Sequence, residues 1–282
     1  MLVKSLRNLL IPTNKCNIDE AVLTMEDAYA KKIEKEAKAD DLLKSIDDYV
    51  LSELGIQLPE YCKEKEFKFN VSSLLGSRYN PEYNQPYFQK LQSAIKDVEY
   101  IRLYDIVSNE TVNTTKLDFV NYVDLGSIEE KTNTIEYNLI ENKEIPSRAK
   151  MKINKGDLVF SGLAGSISSI AIIDENLENM VASTGFFIIK KSDKHNNDYL
   201  LALFKTSFMQ RLLVRHASGA VMPAINNSEL KNIFIPMPDL ALQNKIANKV
   251  KAIINEAKEL KKQALEGLEN AQSKVEKILL GE

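Results

Sequence analysis

The sequence predicts an α+β fold: one mixed α/β domain flanked by two long helices that form an antiparallel coiled coil. Three observations predict it. Two charged segments place apolar residues three and four positions apart over many turns, the mark of an amphipathic helix. The stretch between them mixes short β-like runs with one run at helical spacing. A short motif also recurs ahead of each helical segment: Ser5-Leu-Arg-Asn-Leu-Leu-Ile-Pro12 matches Glu229-Leu-Lys-Asn-Ile-Phe-Ile-Pro236 at an offset of 224 residues. In both copies an apolar run readable as a strand ends at a proline, and a helix-forming segment follows. The chain therefore divides into the tail of a preceding unit (1–12), a helical region (13–60), a complete globular unit (61–239) and a second helical region (240–282).

The first helix is predicted over Asn17–Leu54. Asn17 reads as its N-cap, with Glu20 three residues on. Gly55 reads as its C-terminal stop, followed by Pro59. Its apolar line is Ile18, Val22, Met25, Tyr29 and Ile33, continued by Leu43, Ile46, Val50 and Leu54. About 37 residues at 1.5 Å each give a rod of ~55 Å. The second helix is predicted over Leu240–Leu280, with Asp239 as N-cap after Pro236 and Pro238. Its line is Ile246, Val250, Ile253, Ala257, Leu260 and Ala264, then Leu268, Ala271, Val275 and Ile278. One extra four-residue step makes a stutter in a heptad seam, and the rod is ~60 Å long.

Neither stripe is hidden from water by its own helix, so each needs a partner of similar length. Pairing the two with each other is the simplest solution. Residues 13–60 hold 6 Lys against 12 Asp or Glu, and residues 240–282 hold 8 Lys against 6 Glu. Unequal charge on facing rods favours this pairing over self-pairing. The bland alternative is two solvated helix faces.

Within 61–239, strand-like runs are Phe67–Val71, Asp157–Phe160, Ser169–Ile173 and Gly185–Lys190. Leu200–Val214 carries apolar residues at helical spacing. Gly126 and the Thr/Asn-rich stretches 108–115 and 131–138 mark loops.

Composition excludes several classes. The chain has 282 residues, 44% hydrophobic and 27% charged, an ordinary soluble balance. No run reaches the ~18 apolar residues of a membrane span, and no secretion signal opens the chain. Two cysteines, Cys16 and Cys62, argue against a disulfide framework and read as thiols of a reducing cytoplasm. His195 and His216 stand 21 positions apart with no Cys near either, so no zinc pattern exists and no metal site is expected. There is no phosphate-loop, dinucleotide-binding or nucleophile-elbow motif. Gly162-Leu-Ala-Gly165-Ser166 lacks the Lys and following helix of a phosphate loop and reads as a tight turn between strands. No catalytic residue is assigned and the chain is expected not to be an enzyme.

Several ordered motifs then carry a family resemblance. They are Lys155-Gly-Asp-Leu-Val-Phe160 with Gly165 and Ala171-Ile-Ile173; Tyr199-Leu-Leu-Ala-Leu-Phe204; Ser207-Phe-Met-Gln210; and Ser218-Gly219. The most specific is Ser228-Glu-Leu-Lys-Asn-Ile-Phe-Ile-Pro-Met-Pro238 followed by Gln243-Asn-Lys-Ile246. With Leu42-Leu-Lys-Ser-Ile-Asp47, Leu54-Gly-Ile56 and Ser77-Arg-Tyr-Asn-Pro81, they cover nearly the whole chain. Together they resemble the DNA-specificity subunit of Type I restriction–modification systems. That family usually carries two target recognition domains and two helical regions. This chain has one complete domain, so it is similar to a half-length subunit, natural or a fragment of a longer one.

The resemblance implies a non-catalytic reader that holds methyltransferase (M) subunits, and sometimes restriction (R) subunits, on double-stranded DNA. The domain reads half of a bipartite target, and the helices act as spacer and docking surface. No cofactor is expected in this chain; S-adenosylmethionine, ATP and Mg would belong to partner subunits. Two readers on one rod require a homodimer or pairing with another half-subunit, and a homodimer would read an inverted repeat. The location implied is cytoplasmic, with no membrane partner. Base readout needs donors and acceptors on loops that reach a groove. The candidates are Arg78, Tyr79, Arg148, Lys150, Lys152, Ser161, Ser166, Ser168, Thr184, Arg215, His216 and Ser218. Arg78 is equally placed to anchor the loop entering the domain, and Tyr79, Tyr83 and Tyr87 to pack under it. Residues 61–239 hold 21 Lys plus Arg and 22 Asp plus Glu, so the reader is nearly neutral and weak, salt-sensitive DNA binding alone is expected. The competing reading is a coiled-coil scaffold or adaptor whose globular domain binds protein.

Overall fold

The computed structural model describes residues 15–68, 78–130 and 132–280. Its helices are α1 (Lys15–Glu53), α2 (Pro86–Ser93), α3 (Asn197–Lys205), α4 (Ser207–His216) and α5 (Leu240–Leu280). Its strands are β1 (Tyr100–Arg102), β2 (Val107–Ser108), β3 (Phe119–Val123), β4 (Asn138–Glu141) and β5 (Ala149–Lys152). They continue with β6 (Leu158–Ser161), β7 (Ile170–Ile172), β8 (Met180–Ser183), β9 (Phe186–Ile189) and β10 (Phe234–Pro236). The chain divides into two compact units, one made of most of α1 and α5 and the other spanning Asp47–Lys249. Among the described residues, no helix is long and apolar enough to cross a membrane.

In the helical unit, α5 follows the predicted seam. Val250, Ile253, Ala257 and Ala264 are buried, and Leu260, Leu268, Ala271, Val275 and Ile278 are half-buried. On α1 the second half of the predicted line holds, with Leu43 and Ile46 half-buried and Val50 and Leu54 buried, but its first half is displaced. There Val22, Tyr29 and Ile33 are exposed, and the buried positions are Ala21 and Ala39, with Met25, Ala28, Lys32 and Lys35 half-buried between or beside them. The two lines share Met25 but lie about one residue, or 100°, apart on the helix. Alanine lets two backbones approach closely, and long lysines lay their methylenes along the seam while keeping the amine wet. The Lys35 amine donates to Gln263 Oε1 at 3.4 Å, and Lys261 meets the Asp40 carboxylate at 2.8 Å.

The ends of α1 differ in legibility. The helix already includes Lys15, the first described residue, so Asn17 lies inside it. Lys15 and Cys16 carry nothing that stops a helix, which starts earlier than the cap signal suggested. At the other end Gly55 has φ +68°; its N–H donates to Ser52 O at 3.0 Å, and Ile56 N–H to Leu51 O at 2.8 Å. That is a Schellman stop. A Cβ at Gly55 would meet nothing within 4 Å, so the cost of Gly55→Ala is purely that of a left-handed backbone. It is expected to destabilise the fold by about 1 kcal/mol. An unchanged urea midpoint would contradict that assignment.

In the second unit, one sheet has the order β2-β9-β6-β7, all antiparallel. The other has the order β4-β3-β8-β5, with β3 and β8 parallel. Strand alternation sends Val159, Ala171, Phe186 and Ile188 of the first sheet into one cluster with Val123, Met151, Met180 and Ala182 of the second. That is a sheet-on-sheet core. The intervening residues of β6, Leu158 and Phe160, point the other way and are also buried. Phe160 meets the ring of Phe204 on α3 at 4.8 Å, so this sheet is covered on both faces and β6 reads as a continuous apolar run.

The predicted runs at 157–160, 169–173 and 185–190 appear as β6, β7 and β9. The predicted strand Phe67–Val71 falls mostly outside the described residues; Phe67 and Lys68 are not in a strand. The repeat copy Ser5–Pro12 also lies outside them. The run Leu200–Val214 is two helices, broken at Thr206, which has extended backbone (ψ 150°). Its hydroxyl accepts from Met209 N–H at 3.3 Å and donates to Leu203 O at 2.6 Å, closing one helix and opening the next. Strand β10 pairs antiparallel with β1 and stops at Pro236. Asp239 caps α5 as predicted, its carboxylate accepting from Leu242 N–H at 2.8 Å.

Candidate nucleic-acid interface

Five of the predicted reading residues come together at one end of the two sheets, where β6 leaves its sheet, β8 turns into β9 and β5 begins. Backbone hydrogen bonds fasten these segments to one another. Thr184 N–H donates to Arg148 O at 2.9 Å, Gly162 N–H to Gly185 O at 3.1 Å and Ala164 N–H to Pro223 O at 2.9 Å. Ile225 N–H donates to Gly162 O at 2.8 Å, and Ser218 and Ala224 exchange two bonds of 2.9 Å. The cluster thus gathers Arg148, Ser161, Ser166, Thr184 and Ser218. Glycine is required at 162, where a Cβ would lie 2.7 Å from the Phe187 ring. The turn 162–166 joins antiparallel strands, as the sequence suggested.

These residues are not equally available. Arg148 and Thr184 are exposed, and Ser166 and Ser218 are half-buried. The Arg148 guanidinium lies 3.9 Å from the Asp124 carboxylate, a solvent-screened contact a phosphate can compete with. Ser161 is buried. Its hydroxyl sits 2.9 Å from Ser166 Oγ and accepts from Leu163 N–H at 3.0 Å, so it shapes the turn and is not presented to a groove.

Lys150 is exposed on β5, whereas Lys152 pairs with Glu110 at 2.9 Å. The hydrogen bond from Lys152 holds the Glu110 carboxyl below the usual carboxylate range. The Ser168 carbonyl accepts from the Lys205 amine at 3.0 Å, as does Glu130 O at 2.7 Å. Burial beneath this turn pushes the Lys205 amine down to about 8.

The remaining candidates form a separate, interior group. Arg215 Nε donates to Tyr83 O at 2.9 Å, and its guanidinium stacks over the rings of Tyr83 (4.3 Å) and Phe88 (5.1 Å). His216 Nδ1 lies 2.9 Å from Glu229 Oε2. Arg78 donates to the carbonyls of His216 (3.2 Å) and Ala217 (3.4 Å) and approaches Glu229 at 3.9 Å. Arg215 and His216 are buried at 9% and 0% exposure, which corrects the expectation that they reach bases. They end a helix whose last turn is packed against residues 78–88, where Arg215 Nε and His216 Nδ1 find partners and Arg215 Nη1 and His216 Nε2 are buried without one. Arg78 takes its alternative role, the anchor of the entering loop. Tyr83 lies under the Arg78 guanidinium at 5.0 Å, Tyr87 packs against Tyr61 and accepts from Arg211, and Tyr79 stands exposed.

Burial is the leading cause that holds the His216 imidazole below its ordinary value of 6.5, with Arg215 and Arg78 adding to it against the pull of Glu229. A depressed folded-state value means that this group's contribution is complete above about 6.5 and is lost as pH falls below it. The stability advantage of the wild type over His216→Gln is therefore expected to shrink in urea melts as pH drops from 7 toward 5. A constant difference across that range would contradict it.

Sequence reasoning missed two features. Asp157, buried, ties the turn before β6 to the end of β9 by accepting from Asn154 N–H (2.9 Å), Lys191 N–H (2.9 Å) and the Lys190 amine (3.1 Å). The other is the exposed Ala220-Val221-Met222 tip, whose signal was an uncharged apolar triplet between Gly219 and Pro223. Among the described residues, no group of His, Cys, Asp and Glu could hold a metal.

Comparison with known proteins adds the following. The family profile described as "Type I restriction modification DNA specificity domain" matches residues 95–270, well over half of the chain. The chain is 33% identical over 90 residues to the putative type I restriction enzyme MjaX specificity subunit of Methanocaldococcus jannaschii, covering 32% of this chain and 21% of that one. It is 25% identical over 139 residues to the type I restriction enzyme EcoBI specificity subunit of Escherichia coli, covering 49% and 29%. Among solved structures it is similar to the HsdS subunit of Thermoanaerobacter tengcongensis, with a TM-score of 0.51 and 26% identity over 58% of this chain and 44% of that one. The matched stretches span less than half the length of any of these relatives.

Proposed function

Because the chain belongs to the family of Type I restriction modification DNA specificity domains, we propose that it is a non-catalytic, sequence-reading component of a Type I restriction–modification complex. On this reading the globular domain reads half of a bipartite target. Helices α1 and α5 form an antiparallel coiled coil that sets the spacing between two readers and docks methyltransferase subunits, with restriction subunits joining some assemblies. S-adenosylmethionine, ATP and Mg belong to those partners, and the complex works in the cytoplasm. A second reader comes from a second copy or another half-subunit.

The observation that carries the reading half of the proposal is the loop cluster around Arg148, Ser166, Thr184 and Ser218. Residues 158–173 contain no charged side chain at all, so no carboxylate of that segment repels a phosphate backbone. Arg148 supplies the bidentate donor that suits guanine or phosphate. The pairing half is supported by the contacts Lys35–Gln263 and Asp40–Lys261, whose numbers run in opposite directions along the two helices.

The test is selection from a random duplex pool with the cognate methyltransferase subunits bound, alongside light scattering for mass. A recovered motif with two defined halves supports the reader. Recovery of no sequence by an assembled complex overturns it and leaves a protein-binding adaptor. The near-neutral domain by itself is expected to bind DNA weakly, with affinity falling steeply as salt rises. Tight binding by the isolated chain at physiological salt would contradict that.

A further inference from the structure

The segment Ala217–Ser228 contains no charged residue in a chain that is 27% charged. Within it, Ser218 and Ala224 exchange hydrogen bonds of 2.9 Å and close a small hairpin. Gly219 turns the chain at φ +129°, where a Cβ would lie 3.2 Å from Met222 O, so the turn is close and needs glycine. The hairpin is fastened at its base to the β6–β7 turn through Ala164–Pro223 and Ile225–Gly162. On its N-terminal side, Arg78 holds the His216 and Ala217 carbonyls. On this braced base stand Val221 at 92% and Met222 at 69% exposure.

Scattered exposed apolar side chains need no explanation. Two adjacent ones on the tip of a fastened hairpin, with no charged neighbour in the segment, are a different matter. The hairpin is joined by backbone hydrogen bonds to the turn that carries Ser166, beside Thr184 and Arg148. The tip is therefore carried on the same hydrogen-bonded loop cluster as those residues. A valine and an unbranched, polarisable methionine suit a nonpolar surface whose shape is not fixed in advance.

We propose that Val221 and Met222 are specificity-determining contacts to the nonpolar surface of DNA bases in the target. This inference rests on the reading of the domain as a DNA reader. The surface offered is either a thymine C5 methyl in the major groove or the face of a base at an opened step.

The experiment uses the full complex with its methyltransferase subunits and the duplex it selects. Val221→Ser and Met222→Ser change side chains already in water, so the fold is not at risk. Each is expected to weaken target binding about tenfold, the scale of one apolar contact, and to leave binding to unrelated duplex unchanged. Replacing target thymines one at a time by uracil removes only the methyl. One such position losing affinity in wild type but not in the variant identifies the methyl contact. A rise in 2-aminopurine fluorescence at one step, absent in the variant, identifies an opened base instead. Variants that bind like wild type, with no position responding to either probe, overturn the proposal. So do variants that assemble less readily with methyltransferase but read DNA normally in the complex that forms. Failure of the wild-type complex to select any sequence is seen before a variant is made; it sinks the reader itself and this inference with it.

Discussion

Phe160→Ala is expected to lower the stability of the globular unit by about 3–5 kcal/mol, the cost of removing a large buried ring and leaving a cavity. Phe160 is fully buried, 4.8 Å from the Phe204 ring and 5.3 Å from that of Phe187. It sits on the central strand β6, between α3 and the sheet pair. Neighbours from a sheet and a helix cannot both relax into the space, so the high end of that range is expected. Against a total of about 5–15 kcal/mol for a typical domain, such a loss shifts a urea midpoint far toward water. A loss under about 1 kcal/mol, the mean for point substitutions, would show that the ring is not packed on both sides as described.

Ala257→Glu is the corresponding test of the helical unit. Ala257 is 1% exposed, and α1 carries twice as many carboxylates as lysines over 13–60. A carboxylate placed at that position is buried, unpaired and opposite a predominantly acidic rod. The expected destabilisation is about 3–5 kcal/mol, read as lost helical circular dichroism and as new protease cleavage within α1 and α5. On the proposed function, docking of the methyltransferase is lost with it. Leu265→Glu, on the same helix but 53% exposed, is the control and is expected to change neither signal. Equal behaviour of the two variants would mean that Ala257 faces no partner.

Comparison of the two helices explains why the α5 seam was legible throughout and the α1 seam only in its second half, from Leu43 to Leu54. On α5 the large apolar residues are also the inward ones, because Ile, Val and Leu alternate there with charged residues at heptad spacing. On α1 the sequence offers two candidate lines one residue apart. The line with larger side chains, Val22, Tyr29 and Ile33, lies outside, while Ala21 and Ala39 lie within. Hydrophobicity ranks the first line higher. Close approach of backbones ranks the second higher, and that quantity exists only once a partner helix is in place.

The same division runs through the candidate site. Arg78, Arg148, Arg215 and His216 are alike as donors in the sequence, but only the fold sorts them. Arg148 lies at a sheet corner in water; Arg215 and His216 end a helix pressed onto Tyr83 and Phe88; Arg78 bonds the carbonyls of His216 and Ala217.

By itself the sequence determined the class of the fold, the two long helices, the cap at Asp239, the stop at Gly55 and most of the central strands. These follow from local periodicity, capping chemistry and backbone freedom, which act within a few residues. Only the tertiary structure decided the strand order, the break at Thr206, the inner face of the first half of α1 and which polar side chains remain in water. Each of those depends on what another part of the chain brings alongside, and burial is a property of neighbours.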